Sequence, residues 1–117
     1  MTLKELIELT GAKDMIPEVT KETEVTCGYT CDLLSWVMAH GQAGMAWVTV
    51  QTHMNVIAVA SLMEMAAVII PEGIVMEEAS IEKAREEGIC VLQSEKTAYE
   101  LCAMMAKAGL PGTTRES

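Results

Sequence analysis

Residues 47–70 read WVTVQTHMNVIAVASLMEMAAVII and are apolar over most of their length. Residues 47–51 favour a strand, residues 52–55 a short polar loop, residues 56–66 a helix and residues 67–70 a second strand. Two strands joined by a helix within so little sequence predict a right-handed crossover between parallel neighbours. The loop then lies at the carboxyl end of a strand, the edge at which open α/β sheets bind ligands.

The same alternation of strands and helices continues on both sides of this stretch. In chain order, we expect a helix at residues 3–10, strands at 12–16 and 24–29, a helix at 32–41, a charged helix at 77–87, a strand at 89–93 and a helix at 98–109. Short apolar strands are typical of a parallel sheet with helices on both faces. The sequence therefore predicts an α/β fold, a three-layer α/β/α domain with a mainly parallel sheet of four to five strands. This domain covers residues 1–110, and residues 111–117 are expected to form a flexible tail.

The composition limits the classes of function. Seventeen acidic residues against eight basic residues give a net charge of −9, which disfavours binding to nucleic acid or to an anionic membrane surface. Glu64 interrupts the most apolar run, so no membrane span is predicted. The acidic amino end lacks the pattern of a secretory signal, and the four cysteines are expected to be reduced thiols. These features predict a cytoplasmic protein.

The helix at residues 56–66 is apolar on nearly every side, whereas the helix at 77–87 is polar on nearly every side. A helix that is apolar all round must be buried all round. In so small a domain, its outer face is expected to meet another subunit. The sequence therefore predicts a homodimer that uses this helix or its neighbours.

The loop at residues 52–55 contains the candidate ligand-binding residues, Thr52, His53 and Asn55. Asn55 is expected to cap the following helix, whose free amides then face a small anion. Thr52 and His53 are expected to contact a phosphate or a carboxylate of that ligand. In the competing interpretation, Thr52 and Asn55 satisfy their own backbone and His53 forms a local hydrogen bond.

Cys27 and Cys31 have a spacing found in half-sites for zinc or metal clusters, although no second close pair completes a site. Near a helix amino end, Cys31 would also have a stabilised thiolate and act as a reactive or redox group. In the alternative, Cys31 or Asp32 caps that helix, with Asp32 the better cap chemically, and Cys27 packs as a small apolar residue. Cys90 and Cys102 are expected in the core. No metal and no cofactor are predicted.

The sequence lacks motifs for common catalytic chemistry. It contains no Walker-type phosphate loop, no G-x-G-x-x-G, no G-x-S-x-G and no H-E-x-x-H. No nucleophile, base and orienting group can be assigned together. We therefore expect a protein that is not an enzyme, and a thiol mechanism at Cys31 is the remaining catalytic hypothesis.

Four segments give the chain a resemblance to a known family: TCGY at 26–29, DLLS at 32–35, WVTVQTHMN at 47–55 and AVAS at 58–61. They resemble the small stand-alone proteins of the DRTGG-domain family, a domain similar to the N-terminal domain of HPr kinase/phosphorylase. The resemblance covers nearly the whole chain. It implies a three-layer α/β/α fold and a regulatory or assembly module, usually oligomeric and without catalysis of its own. The activity of HPr kinase belongs to a separate domain with a phosphate-binding loop, which this chain lacks.

Two positions depart from the family pattern. The glycine pair for which the domain is named falls near residues 71–73, where only Gly73 is present. The residue before Asp32 is often Ser in relatives and is Cys31 here. The expected function is a regulatory module that binds a small anionic metabolite or nucleotide, or a partner protein. The alternative is an accessory protein of a redox or metal-cluster enzyme that uses Cys27 and Cys31.

Overall fold

The computed structural model describes residues 1–113, which contain five helices and five strands. In chain order these are α1 (Leu3–Thr10), β1 (Lys13–Asp14), β2 (Cys27–Thr30), α2 (Leu34–His40), β3 (Met45–Val48), α3 (Met54–Leu62), β4 (Ala67–Ile70), α4 (Glu78–Glu87), β5 (Cys90–Gln93) and α5 (Ala98–Lys107). The predicted order of elements is confirmed. β3 ends three residues earlier than expected, because the N–H of Val50 donates to the side chain of Asp32 rather than to a neighbouring strand.

All five strands form one sheet in the order β1-β5-β4-β3-β2. Strands β2 to β5 are parallel, with Thr30 beside Val48, Val48 beside Ile69, and Ile69 beside Leu92. The short strand β1 pairs with β5 in the antiparallel direction. Every residue of β3 and β4 is buried, as expected for strands covered by helices on both faces. The predicted mainly parallel sheet is confirmed.

The helices form one layer on each face of the sheet. Helices α2, α3 and α4 lie on one face, because successive right-handed crossovers in one direction place their helices on the same side. Helices α1 and α5 cover the opposite face. Trp47 is fully buried in the first core, and Leu101 is fully buried in the second. The three-layer α/β/α fold predicted from the sequence is therefore confirmed.

Capping residues close in sequence set the ends of α1 and α5, as the sequence predicts. Thr2 with Glu5 and Thr97 with Glu100 form capping boxes at the starts of α1 and α5. Gly11 ends α1 in the left-handed conformation that glycine adopts without strain. These helices therefore depend on contacts within one turn for their boundaries.

At the starts of two other helices, α2 and α3, the predicted N-cap residues were wrong. Asp32 does not cap α2, whose N-cap is Leu33, and Asn55 does not cap α3, whose N-cap is His53. The predictions rested on the preference of Asp and Asn for cap positions. The Asp32 carboxylate instead accepts hydrogen bonds from the loop after β3, and Asn55 lies within the first turn of α3.

The segment after α5 packs against the edge of the sheet. Leu110 is buried, and the carbonyl of Pro111 accepts a hydrogen bond from the N–H of Gly28 in the edge strand β2 at 2.8 Å. The predicted tail is thus attached at its first residue, and residues 114–117 lie outside the described residues. None of the helices in residues 1–113 has the length and apolar character that crossing a bilayer requires.

Candidate functional site

The carboxyl ends of the four parallel strands meet at one edge of the sheet. The predicted residues Thr52, His53 and Asn55 lie at this edge, in the loop after β3 and the first turn of α3. Helices α3 and α4 follow β3 and β4 on one face of the sheet, whereas α5 follows β5 on the opposite face, so the helices diverge between β4 and β5 and not beside Thr52. What the edge can bind therefore depends on its side chains.

Asp32 anchors the loop after β3. Its Oδ1 accepts hydrogen bonds from the Thr49 hydroxyl at 2.8 Å and from the Val50 N–H at 3.0 Å, and its carbonyl accepts one from the Gln51 amide at 3.0 Å. Thr49 is buried, so its bond satisfies a polar group removed from water. Sequence reasoning missed this role. The role of Asp32 could have been inferred from parallel pairing of β2 with β3, because such pairing brings together the residues that follow both strands.

Helix α4 holds the other end of the same loop. The hydroxyl of Ser80, which is fully buried, donates to the carbonyl of Thr52 at 2.6 Å. The hydroxyl of Thr52 donates to Oε2 of Glu77 at 3.3 Å. The loop is therefore fixed between the end of β2 and the start of α4, and the Thr52 hydroxyl faces a carboxylate.

His53 is the N-cap of α3. Its Nδ1 accepts a hydrogen bond from the N–H of Asn55 at 3.2 Å, which places the proton of the neutral ring on Nε2. Both side chains are exposed, and Thr52 beside them is half-buried. The structure thus brings the three predicted residues together as neutral polar groups at the start of one helix.

Two carboxylates border these residues, Asp32 on the β2 side and Glu77 on the α4 side. Glu77 repels an anion that contacts the Thr52 hydroxyl, because its carboxylate lies 3.3 Å from that hydroxyl and like charges at a few ångströms oppose each other even in water. An anionic ligand at this edge therefore needs a positive group nearby.

A cavity of about 440 Å³ at the same edge contains two positive groups and one carboxylate, that of Glu95. It is lined by Gly11, Lys13, Gly73, Ile74, Gln93, Ser94, Glu95 and Lys96. The Lys96 ammonium donates to the carbonyl of Thr10 at 3.0 Å, which fixes its position, and Lys13 is exposed. Sequence reasoning missed Lys13, because β1 reaches the edge only through its antiparallel pairing with β5, and it missed Lys96 although that residue follows the predicted strand at 89–93.

The turn after β4 contributes one wall of this cavity. Glu72 and Gly73 have φ angles of 66° and 70°, in the left-handed region that a glutamate adopts only at a cost. Their N–H groups donate to the carbonyls of Lys96 and Ser94 at 2.8 and 2.9 Å. These two bonds hold the strained turn against the loop that follows β5.

The structure places Cys27 and Cys31 apart. They lie at the two ends of β2, and four residues of extended chain span roughly 13 Å. Within residues 1–113, no group of three or more His, Cys, Asp or Glu side chains is arranged to hold a metal. Cys31 lies two residues before Leu33, the N-cap of α2, and that helix has only seven residues.

The other two cysteines pack against the core, as the sequence predicts. Burial raises the pKa of the Cys90 thiol to about 12 and also raises the pKa of the half-buried Cys102 thiol. Both groups are therefore protonated thiols at neutral pH, which disfavours nucleophilic chemistry at either position.

No family model and no curated protein sequence matches this chain. Its fold is similar to a solved structure of the CBS and DRTGG domains of the regulatory region of Clostridium perfringens pyrophosphatase, complexed with the activator diadenosine tetraphosphate. The TM-score is 0.73 at 13% sequence identity, and the match covers 94% of this chain and 47% of that one. This chain thus spans about half the length of that structure. The likeness agrees with the four sequence segments in supporting a DRTGG-like fold, whereas similarity to HPr kinase stays a prediction.

Proposed function

We propose that this chain is a non-catalytic regulatory module of the cytoplasm that binds a small anionic ligand, such as a nucleotide, at the carboxyl edge of its sheet. The observation that carries the proposal is the likeness of its fold to a regulatory region solved with a nucleotide activator. The lack of catalytic motifs in the sequence supports a regulatory rather than an enzymatic role. The free cysteines support a reducing compartment.

Two groups of residues share the recognition in this proposal. Lys13 and Lys96 supply positive charge to the cavity of about 440 Å³, a volume within the range of small-molecule sites. Thr52, His53 and Asn55 supply neutral hydrogen-bonding groups beside the next strands of the same edge. This division suits a ligand that combines an anionic group with a neutral polar group, as a nucleotide does.

The alternative, an accessory role for redox or metal-cluster enzymes, has no support from the geometry. Cys27 is fully buried, and the length of β2 separates it from Cys31. A metal bridge between these two thiols would require the edge strand to fold back on itself.

Isothermal titration calorimetry of the untagged protein against ATP, AMP, diadenosine tetraphosphate and inorganic phosphate tests the proposal. We expect saturable heat with at least one nucleotide. Mass spectrometry of small molecules released from the purified protein is the companion measurement. No heat from any of the four compounds, together with no released ligand, would contradict the proposed function.

Variants then locate the ligand. Lys13→Glu reverses a charge at the cavity and is expected to weaken nucleotide binding about tenfold or more. Lys107→Glu makes the same change at the carboxyl end of α5, at the opposite end of the domain, and is expected to leave the affinity unchanged. The pair Thr52→Val and Asn55→Ala tests the neutral residues. An equal loss in Lys107→Glu would indicate a general charge effect and contradict the assigned site.

A further inference from the structure

Helices α2 and α3 together expose large apolar side chains. Leu33, Trp36, Met38, Met54 and Leu62 are between 42% and 66% exposed. A groove of about 300 Å³ between the two helices is lined by Leu34, Met38, Asn55, Ala58, Val59 and Leu62. The five exposed side chains and this groove are called the α2–α3 surface below.

The stretch that forms this surface carries no formal charge. All seventeen acidic and all eight basic residues of the chain lie outside residues 33–63. Helices α2 and α4 and the sheet pack around α3, and they leave exposed Met54, Ala58 and Leu62, which recur every four residues along one stripe. An exposed apolar stripe of this kind on a domain marks an interaction site.

Trp36 is the largest side chain of the surface and is held in a fixed position. The ring of His40 stacks on it with a centroid separation of 4.1 Å and an interplanar angle of 24°. Nδ1 of His40 also lies 2.9 Å from the carbonyl oxygen of Trp36. An ordered aromatic ring loses little conformational entropy on burial, which is a property of residues that dominate the affinity of protein interfaces.

We propose that the α2–α3 surface binds the same surface of a second copy of this chain, related by a two-fold axis. A net charge of −9 opposes the approach of two copies wherever carboxylates face each other. At the α2–α3 surface two copies meet without opposed charges, and a two-fold interface sets the same apolar patch against itself. The flexible methionines adapt to the groove of the opposite copy. The sequence-based homodimer prediction thus acquires a defined interface.

This assembly does not depend on the proposed ligand. Its two helices nevertheless begin near the carboxyl edge of the sheet, where the ligand is proposed to bind. Helix α3 begins directly after Thr52 and His53, and α2 begins two residues after Asp32. Helix α3 therefore starts at the loop that Asp32 and Ser80 hold in place, and α2 starts beside Asp32 itself.

Sedimentation velocity over about 1 to 100 μM protein tests the proposal. We expect the wild-type chain to become dimeric as the concentration rises, and Leu62→Glu to weaken the dimer at least tenfold because it places two like charges in the interface. Val75→Glu introduces the same charge at an equally exposed apolar residue outside the surface and is expected to dimerise as the wild type does. Circular dichroism verifies that both variants are folded.

A wild-type chain that stays monomeric over this range overturns the proposal, as does a dimer that Leu62→Glu leaves intact. Tryptophan fluorescence provides a second readout. Trp47 is fully buried, so changes in quenching by acrylamide report on Trp36. We expect quenching to decrease with concentration in the wild type but not in Leu62→Glu. Trp36 that remains equally quenchable in the dimer would place the interface elsewhere and overturn the assignment.

Discussion

The carboxylate of Asp32 and the hydroxyl of Thr49 are joined by a hydrogen bond of 2.8 Å, although 17 residues separate them in the chain. This bond connects the residues that follow two neighbouring parallel strands. It fixes the first part of the loop whose last part carries Thr52 and His53. The geometry of the proposed ligand-binding edge therefore depends on Asp32, a residue that the sequence pattern assigns to a helix cap.

Replacing Asp32 with Ala is expected to destabilise the domain by about 1 to 3 kcal/mol, because the buried Thr49 hydroxyl and the Val50 N–H lose their acceptor. Asp32→Asn keeps an oxygen acceptor and is expected to cost less. Urea unfolding monitored by circular dichroism measures both. The exposed Glu86→Ala on α4 serves as a control for loss of a carboxylate. Asp32→Ala with the stability of the control would show that the loop is held by other contacts.

Glu72→Gly is expected to raise the free energy of unfolding by up to about 1 kcal/mol, because glycine adopts the left-handed conformation at this position without steric cost. Gly73→Ala, at φ 70°, is expected to lower it by a similar amount. Thermal and urea unfolding of the two variants provide the comparison. A loss of stability in Glu72→Gly would mean that the Glu72 side chain contributes more than its backbone strain removes. The result also bears on the family glycine pair, since the backbone of Glu72 suits a glycine.

The two capping boxes are expected to make stability depend on acid pH. Hydrogen bonds from the Thr2 backbone and from the Thr97 backbone are the largest causes that lower the pKa of Glu5 and of Glu100 below the ordinary value of 4.5. Since the folded-state pKa is the lower one, the stabilisation is complete above pH 4.5 and is lost as the pH falls through the folded-state values.

Urea unfolding at a series of pH values between about 3 and 6 measures this dependence. The double variant Glu5→Gln with Glu100→Gln retains hydrogen-bond acceptors but does not titrate, and its stability is expected to change less over this range than that of the wild type. Glu86→Gln is the matched control at an exposed helical position. If the double variant and the wild type lose stability in parallel, other carboxylates account for the loss of stability at acid pH.

The four thiols are expected to react with Ellman's reagent at different rates in the native protein. Cys31 is half-buried and should react first, whereas the fully buried Cys27 and Cys90 should react only when the domain opens. Cys90 has the further barrier of a pKa of about 12, raised by burial.

In denaturant all four thiols are expected to react, and Cys31→Ser is expected to remove the fast phase of the native reaction. Cys102→Ser is the control, since burial raises the pKa of that half-buried thiol and slows its reaction. Rapid labelling of Cys90 in the native state would contradict the burial of β5 between two helix layers.

Much of the fold could be predicted from the sequence. The apolar runs at β4 and β5, the capping boxes of α1 and α5 and the polar character of α4 are local patterns, and all of them correspond to observed elements. Only part of the candidate site could be predicted from the sequence. The positions of Thr52, His53 and Asn55 at a strand end were predicted, but their neighbours Asp32, Glu77 and Ser80 were not assigned to the edge.

The sequence by itself determined the order of strands and helices and the division into buried and solvated elements, because these follow from residue periodicity and from contacts within one turn. Tertiary structure alone decided that Asp32 meets Thr49, that Ser80 meets Thr52 and that a cavity gathers Lys13 and Lys96. Periodicity carries no information about which loop side chains meet once the strands have paired. These contacts join residues that approach each other only after the strands have paired.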